Sequence, residues 1–90
     1  MSPRPDVEDL PVEVVDFLTS LRVERGRSPN TLAAYANDLR TYVAWLDERG
    51  QTVAGATPDD VVAYVGALSS GERAPSTVKR MLVSVRGLHR

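Results

Sequence analysis

Ser28-Pro29-Asn30-Thr31 opens the stretch that decides the fold, Ser28–Gly50 (SPNTLAAYANDLRTYVAWLDERG). Leu32, Tyr35, Leu39, Tyr42, Val43 and Leu46 recur in it with a 3.6-residue period for four turns, so one side of a long helix is apolar. Ser28 suits the cap of that helix and Pro29 its first turn, where a missing N–H costs nothing. Gly50 supplies the stop. The spacing predicts a helix over Pro29–Arg49, and its apolar stripe has to be covered by other elements.

The same pattern appears on either side. Upstream, Val14, Phe17, Leu18 and Leu21 fall at i, i+3, i+4 and i+7, predicting a helix over Pro11–Arg25 that Gly26 ends. Residues 1–9 hold Pro3 and Pro5 with mixed charges and no periodicity, and read as a loose lead-in. Downstream, Gln51–Ala56 reads as a short connection. Thr57-Pro58-Asp59-Asp60 then offers a cap, a first-turn proline and two carboxylates for the positive end of a helix dipole. Val61, Tyr64, Val65 and Leu68 give that third helix its buried face, and Ser69-Ser70-Gly71 closes it. A fourth helix begins at Pro75 or Ser76, carries Val78, Met81, Leu82, Val85 and Leu88 inward, and runs to Arg90 with no stop signal. A helix without a stop is expected of a chain cut from something longer. No segment alternates with period two, so the expectation is all-α: a compact orthogonal four-helix bundle over residues 10–90, one domain.

Composition narrows the function. The apolar fraction of 42% and charged fraction of 26% are those of an ordinary soluble globule. With no cysteine there is neither a disulfide framework nor a thiolate metal site. Apolar runs are too short to span a membrane, and Met1–Leu10 lacks the basic start and apolar stretch of a signal peptide. A cytoplasmic protein is expected. The formal net charge is −1, but it is unevenly spread. Residues 1–71 carry 6 Arg and 11 Asp or Glu, while residues 72–90 carry five Lys or Arg and one Glu. The last segment is therefore basic, and local charge density decides whether a surface attracts phosphate.

No catalytic set is visible. His89 is the single histidine, which rules out a two-histidine metal site or a His-based triad within the chain. Near the chain end it reads as a free surface imidazole. Asp59 and Asp60 are adjacent on a helix and point apart, so they read as dipole partners. No phosphate-cradling glycine motif occurs. No cofactor or metal is expected, and the chain does not read as an enzyme.

Two polar clusters suggest binding instead. On the fourth helix Ser76, Thr77, Lys79, Arg80 and Ser84 avoid the apolar stripe, with Arg73 just ahead. Such a face is about as wide as a DNA major groove, although alone it reads as an ordinary solvated helix surface. At the start of the second helix stand Arg25, Arg27, Ser28, Asn30 and Thr31. Backbone N–H groups there suit phosphate oxygens, and capping by Ser28 and Asn30 explains the same residues.

The run Arg27–Arg40 (RSPNTLAAYANDLR) resembles the S-x-N-T-x-x-x-Y-x-x-D-L signature of the N-terminal domain of Xer-type tyrosine recombinases, which are related to phage integrases. Val43–Gly50 is similar to that family's F-x-x-W-L-x-x-x-G segment, and Thr57–Val61 to its third-helix opening. Pro75–Arg90 resembles its S-x-x-x-x-R-x-L-S-x-L-R-x-F helix. The likeness covers about Leu10–Arg90, in order. It implies a SAM-like, core-binding domain forming half of a clamp around double-stranded DNA, with the second and fourth helices at the major groove of a recombination half-site. By position it implies DNA contacts from Arg27, Ser28, Asn30, Thr31 and Tyr35, and from Arg73, Ser76, Thr77, Lys79 and Arg80. Tyr35 also continues the apolar stripe, so its ring is expected inside with only the hydroxyl near DNA. The resemblance further implies contact with other recombinase protomers through the exposed side of the first helix, a monomer when the domain stands alone, and cleavage chemistry seated in a catalytic domain outside these residues. Gly87 departs from the pattern, standing where a helix former is usual. The rival reading is a helical protein-interaction module, marked by an exposed apolar patch on the first or fourth helix. A helix-turn-helix regulator needs a tighter turn than Gly50–Thr57 or Ser69–Ala74 provides.

Overall fold

In the computed structural model, which describes residues 10–24 and 26–90, three of the four helices open on a proline. Proline brings a φ already set for the helix and removes an N–H that would have had no partner. Helix α1 spans Val12–Glu24, α2 Pro29–Glu48, α3 Pro58–Ser69 and α4 Pro75–Leu88, and no strand occurs among the described residues. The expected lead-in at residues 1–9, and Arg25, lie outside them. The radius of gyration is 12.9 Å, close to the ~12 Å of a compact chain this long.

The ends of α2 and α3 are fastened by their sequences. Gly50 takes a left-handed φ of 69°, which lets the Gln51 N–H reach back to the Leu46 carbonyl at 2.9 Å and the Gly50 N–H to Asp47 at 3.0 Å. These two bonds satisfy carbonyls that the end of α2 leaves open. At α3 the Thr57 hydroxyl accepts from the Asp60 N–H at 3.2 Å, while the Asp60 carboxylate accepts from the Thr57 N–H at 2.9 Å. That reciprocal box, helped by the Thr57 hydroxyl, Gln51 and Arg49, holds the Asp60 carboxyl below the usual carboxylate range. Arg49 also lies 4.6 Å over the Trp45 ring and 3.5 Å from Asp60, tying the end of α2 to the start of α3.

Stripes of all four helices meet in one core of Val14, Leu39, Tyr42, Leu46, Tyr64, Leu68, Met81 and Val85. Helix α2 packs on α1 and α4, and α4 also touches α1 and α3. Two further core residues, Leu10 and Val53, come from irregular segments whose apolar content has no period. Two expectations are corrected. Ser84, placed on the outer face of α4 by its polarity, is buried and donates to the Met81 carbonyl at 2.7 Å. Back-bonding to its own helix satisfies the hydroxyl and lets it occupy the core side. His89 is no free imidazole: its Nε2 lies 2.7 Å from the Tyr42 hydroxyl, with the rings edge to face at 5.6 Å. Helix α4 stops at Leu88, one turn's bonds being closed by His89 and Arg90 onto Val85 and Gly87.

Gly87 has a reason to be glycine. A Cβ there would sit 2.8 Å from the tip of the Phe17 ring, where α1 crosses α4. Alanine would gain ~1 kcal/mol of helix propensity but overpack that crossing, at ~1–3 kcal/mol. Gly87→Ala is therefore expected to lower the denaturant midpoint. In a Phe17→Leu background, with the ring edge gone, the same change is expected to raise it. A stabilising Gly87→Ala in the unmodified chain would contradict the crossing.

Candidate nucleic-acid interface

Helices α2 and α4 differ from α1 and α3 at their positive ends. Glu13 stands in the first turn of α1, and Asp59 and Asp60 in that of α3, whereas the first turns of α2 and α4 hold no carboxylate. Their exposed N–H groups and partial positive charge thus remain open to an external anion.

At the start of α2, Ser28 is extended (φ −67°, ψ 156°) and its hydroxyl accepts from the Thr31 N–H at 3.2 Å while donating to the Thr31 hydroxyl at 3.0 Å. Two of the expected site residues therefore hold one another and shape the first turn. Asn30 makes no part of the cap and is exposed beside them. Arg27 is exposed and Tyr35 is half-buried. Both line a cleft of about 440 Å³ between α1 and α4, which also holds Glu24, Phe17 and Leu88.

Ala74 opens α4 without any side-chain cap. Ser76 and Lys79 are exposed, Thr77 is half-buried, and exposed Arg73 precedes the helix. Lys79, Arg73 and Ser69 line a shallow depression where α3 meets α4. Arg80 is placed differently from the rest. Its Nε and Nη2 donate to the two oxygens of Asp38 at 2.8 Å each. Asp38 is buried on α2, its side chain 4% exposed against 44% for Arg80. This fork ties the first half of α4 to the middle of α2.

The sequence reading missed several residues of this surface. Asp38 was passed over, although it lies between Tyr35 and Tyr42 at i+3 and i−4 and so faces inward. Arg86 repeats Lys79 one heptad on and is exposed on the same outer side of α4. On α2, Asn37 repeats Asn30 and accepts from Arg40 Nη1 at 2.7 Å. A heptad search from the residues already singled out finds both. No group of three or more His, Cys, Asp or Glu among the described residues is placed to hold a metal, and no helix among them is long and apolar enough to cross a membrane.

The model of the phage integrase N-terminal SAM-like domain matches residues 14–90. The chain is also similar to proteins named tyrosine recombinase XerD. It is 40% identical to that of Mycobacterium tuberculosis H37Rv over 93% of this chain and 30% of the relative. It is 40% identical to that of Pseudomonas aeruginosa over 82% of this chain and 25% of the relative. With Chlorobaculum tepidum the figures are 36%, 82% and 24%. The chain thus spans about a quarter to three-tenths of the length of these relatives. No solved structure matches it.

Proposed function

Since the chain belongs to the phage integrase N-terminal SAM-like domain family, we propose that it grips one half-site of a recombination target in double-stranded DNA, with the first turn of α2 and the outer face of α4 in the major groove. The observation that carries this is the pair of helix starts without carboxylates, α2 and α4, joined by the Arg80–Asp38 fork. The two positive ends serve one ligand in this reading. In this reading Arg27, Arg73, Lys79 and Arg80 meet phosphates, and Asn30, Ser76 and Thr77 reach phosphate or base edges. Ser28 and Thr31 shape the first turn of α2 through their cap, and Tyr35 keeps its ring inside with the hydroxyl toward DNA.

The strand-cleaving chemistry belongs, in the same reading, to the part of a longer recombinase that these residues do not include; the chain itself is no enzyme and needs no cofactor. The outer side of α1 meets neighbouring protomers in the assembled complex, the isolated chain is a monomer, and the setting is the cytoplasm. Such a grip serves DNA integration or the resolution of chromosome and plasmid dimers.

Four to six phosphate contacts give a slope of about −4 to −5 for log affinity against log salt. Half a clamp should bind at a nonspecific level, with Kd on the order of 10⁻⁴–10⁻⁶ M. Fluorescence anisotropy of a labelled mixed-sequence duplex, titrated with the 90-residue chain at several salt concentrations, is expected to return both. A slope near zero would overturn the reading.

A further inference from the structure

Val83 is a large apolar side chain on the α4 face that carries Lys79, Arg80 and Arg86, and on its α1 side it also lines the cleft that holds Glu13 and Glu24. It is 51% exposed and follows Lys79 by four residues and precedes Arg86 by three, so the three share the outer side of α4. Helical spacing sets Lys79 and Arg86 on one flank of that side and Arg80 on the other, with Val83 and Ser76 between them. Arg80 cannot swing across this middle line, because Asp38 fixes it through two 2.8 Å bonds. No carboxylate occurs from Pro75 to Arg90.

The other strongly exposed valines have different neighbours. Val12 and Val23 on α1 share their outer side with Asp16, and Val62 on α3 shares its own with Asp59. Those faces repel phosphate. On α4 itself the charged residues flanking Val83 are all cations, Lys79, Arg80 and Arg86.

A helix about 10–12 Å across fills a major groove about 12 Å wide. Side chains on its flanks then meet the phosphate walls, and those on its middle line meet base edges. A valine there offers no hydrogen bond and desolvates any polar base edge it covers. Thymine is the base whose major-groove edge carries an apolar group, the C5-methyl. We propose that Val83 is a specificity-determining residue that packs on a thymine methyl in the major groove, while Lys79, Arg80 and Arg86 hold the flanking phosphates. This rests on the DNA-gripping function and names the base chemistry that the grip selects.

The test compares two duplexes that differ only in that methyl, alternating d(A-T) and alternating d(A-U), each titrated with the 90-residue chain at one low salt concentration. The unmodified chain is expected to bind the thymine duplex about fourfold more tightly, the worth of one buried methyl group. Val83→Ser is expected to bind both duplexes equally, with the salt slope and the thermal midpoint unchanged because the side chain is outside the core. Equal binding of the two duplexes by the unmodified chain, with a steep salt slope, would overturn the role of Val83 and leave DNA binding standing. A preference that survives in Val83→Ser would overturn it as well. No binding to either duplex at millimolar concentration would overturn the DNA grip and this proposal together.

Discussion

Truncating Arg80 to alanine is expected to cost ~3 kcal/mol of folding stability, about twice the cost of truncating Asp38, its partner in the same ion pair. The difference follows from where each group is left. The Asp38 side chain is 4% exposed and that of Arg80 44%. Without Arg80, a carboxylate stays in the protein interior with its two strongest hydrogen bonds gone, and it carries the full desolvation penalty. Without Asp38, the guanidinium turns into water and recovers its hydration, so ~1–2 kcal/mol is lost. The attraction between the charges contributes little to this asymmetry, because a half-exposed pair is screened. Urea unfolding of Arg80→Ala and Asp38→Ala, followed by circular dichroism, measures both costs. An equal loss, or a larger one for Asp38→Ala, would show that the fork is an ordinary surface pair. Neither result is neutral for function, since the fork also sets the angle at which α4 meets α2.

Tyr42→Ala is expected to cost ~4 kcal/mol, within the range for removing a buried aromatic ring. Tyr42 is fully buried, its ring 4.9 Å from that of Tyr64 and 5.6 Å from His89. It joins the middle of α2 to α3 and to the end of α4. For 90 residues, total stability of about 5–13 kcal/mol is ordinary, so this one ring holds a large share. Tyr42→Phe keeps the ring and loses the hydroxyl, and ~1 kcal/mol is expected. Burial pushes the Tyr42 hydroxyl up to about 12, so it stays protonated throughout the accessible pH range. Burial also lowers His89 from its ordinary 6.5, which gives a pH arm to the same experiment. Below 6.5 the unfolded chain takes up a proton at His89 that the folded chain refuses until its lower value is reached. Stability is therefore lost as the pH is lowered through that window and regained as it rises. In Tyr42→Ala the imidazole is opened to water, and this part of the pH dependence is expected to shrink. An unchanged slope would place the histidine's desolvation elsewhere.

The four helices and their inward faces were legible because a 3.6-residue period survives without any knowledge of neighbours. Leu39, Tyr42, Leu46, Tyr64, Leu68, Met81 and Val85 are buried as their spacing requires. Prolines at 29, 58 and 75 and glycines at 26 and 50 marked the ends through local chemistry alone. What stayed hidden was set by pairing across the chain. Arg80 lies 42 residues from Asp38 and His89 47 from Tyr42, and nothing at either position announces the other. Gly87 looked like a weak point in a helix until the Phe17 ring explained it. Leu10 and Val53 entered the core from irregular segments that have no period to read. For the candidate surface, the uneven charge distribution was legible and the direction of each side chain was not. Arg80, read as a plain outward cation, is half committed to the fold.

The central claim, that DNA is met by the start of α2 and the outer face of α4, is tested most directly by a residue-by-residue map. Amide shifts of the isotopically labelled 90-residue chain, followed while a short duplex is added at low salt, provide one. The predicted result is a set of salt-reversible shifts over Arg27–Tyr35 and Arg73–Arg86, with Val12, Asp16, Thr19 and Val23 on α1 and Asp59 and Val62 on α3 left in place. Shifts gathered on α1 or α3, or no shifts at millimolar duplex, would contradict it.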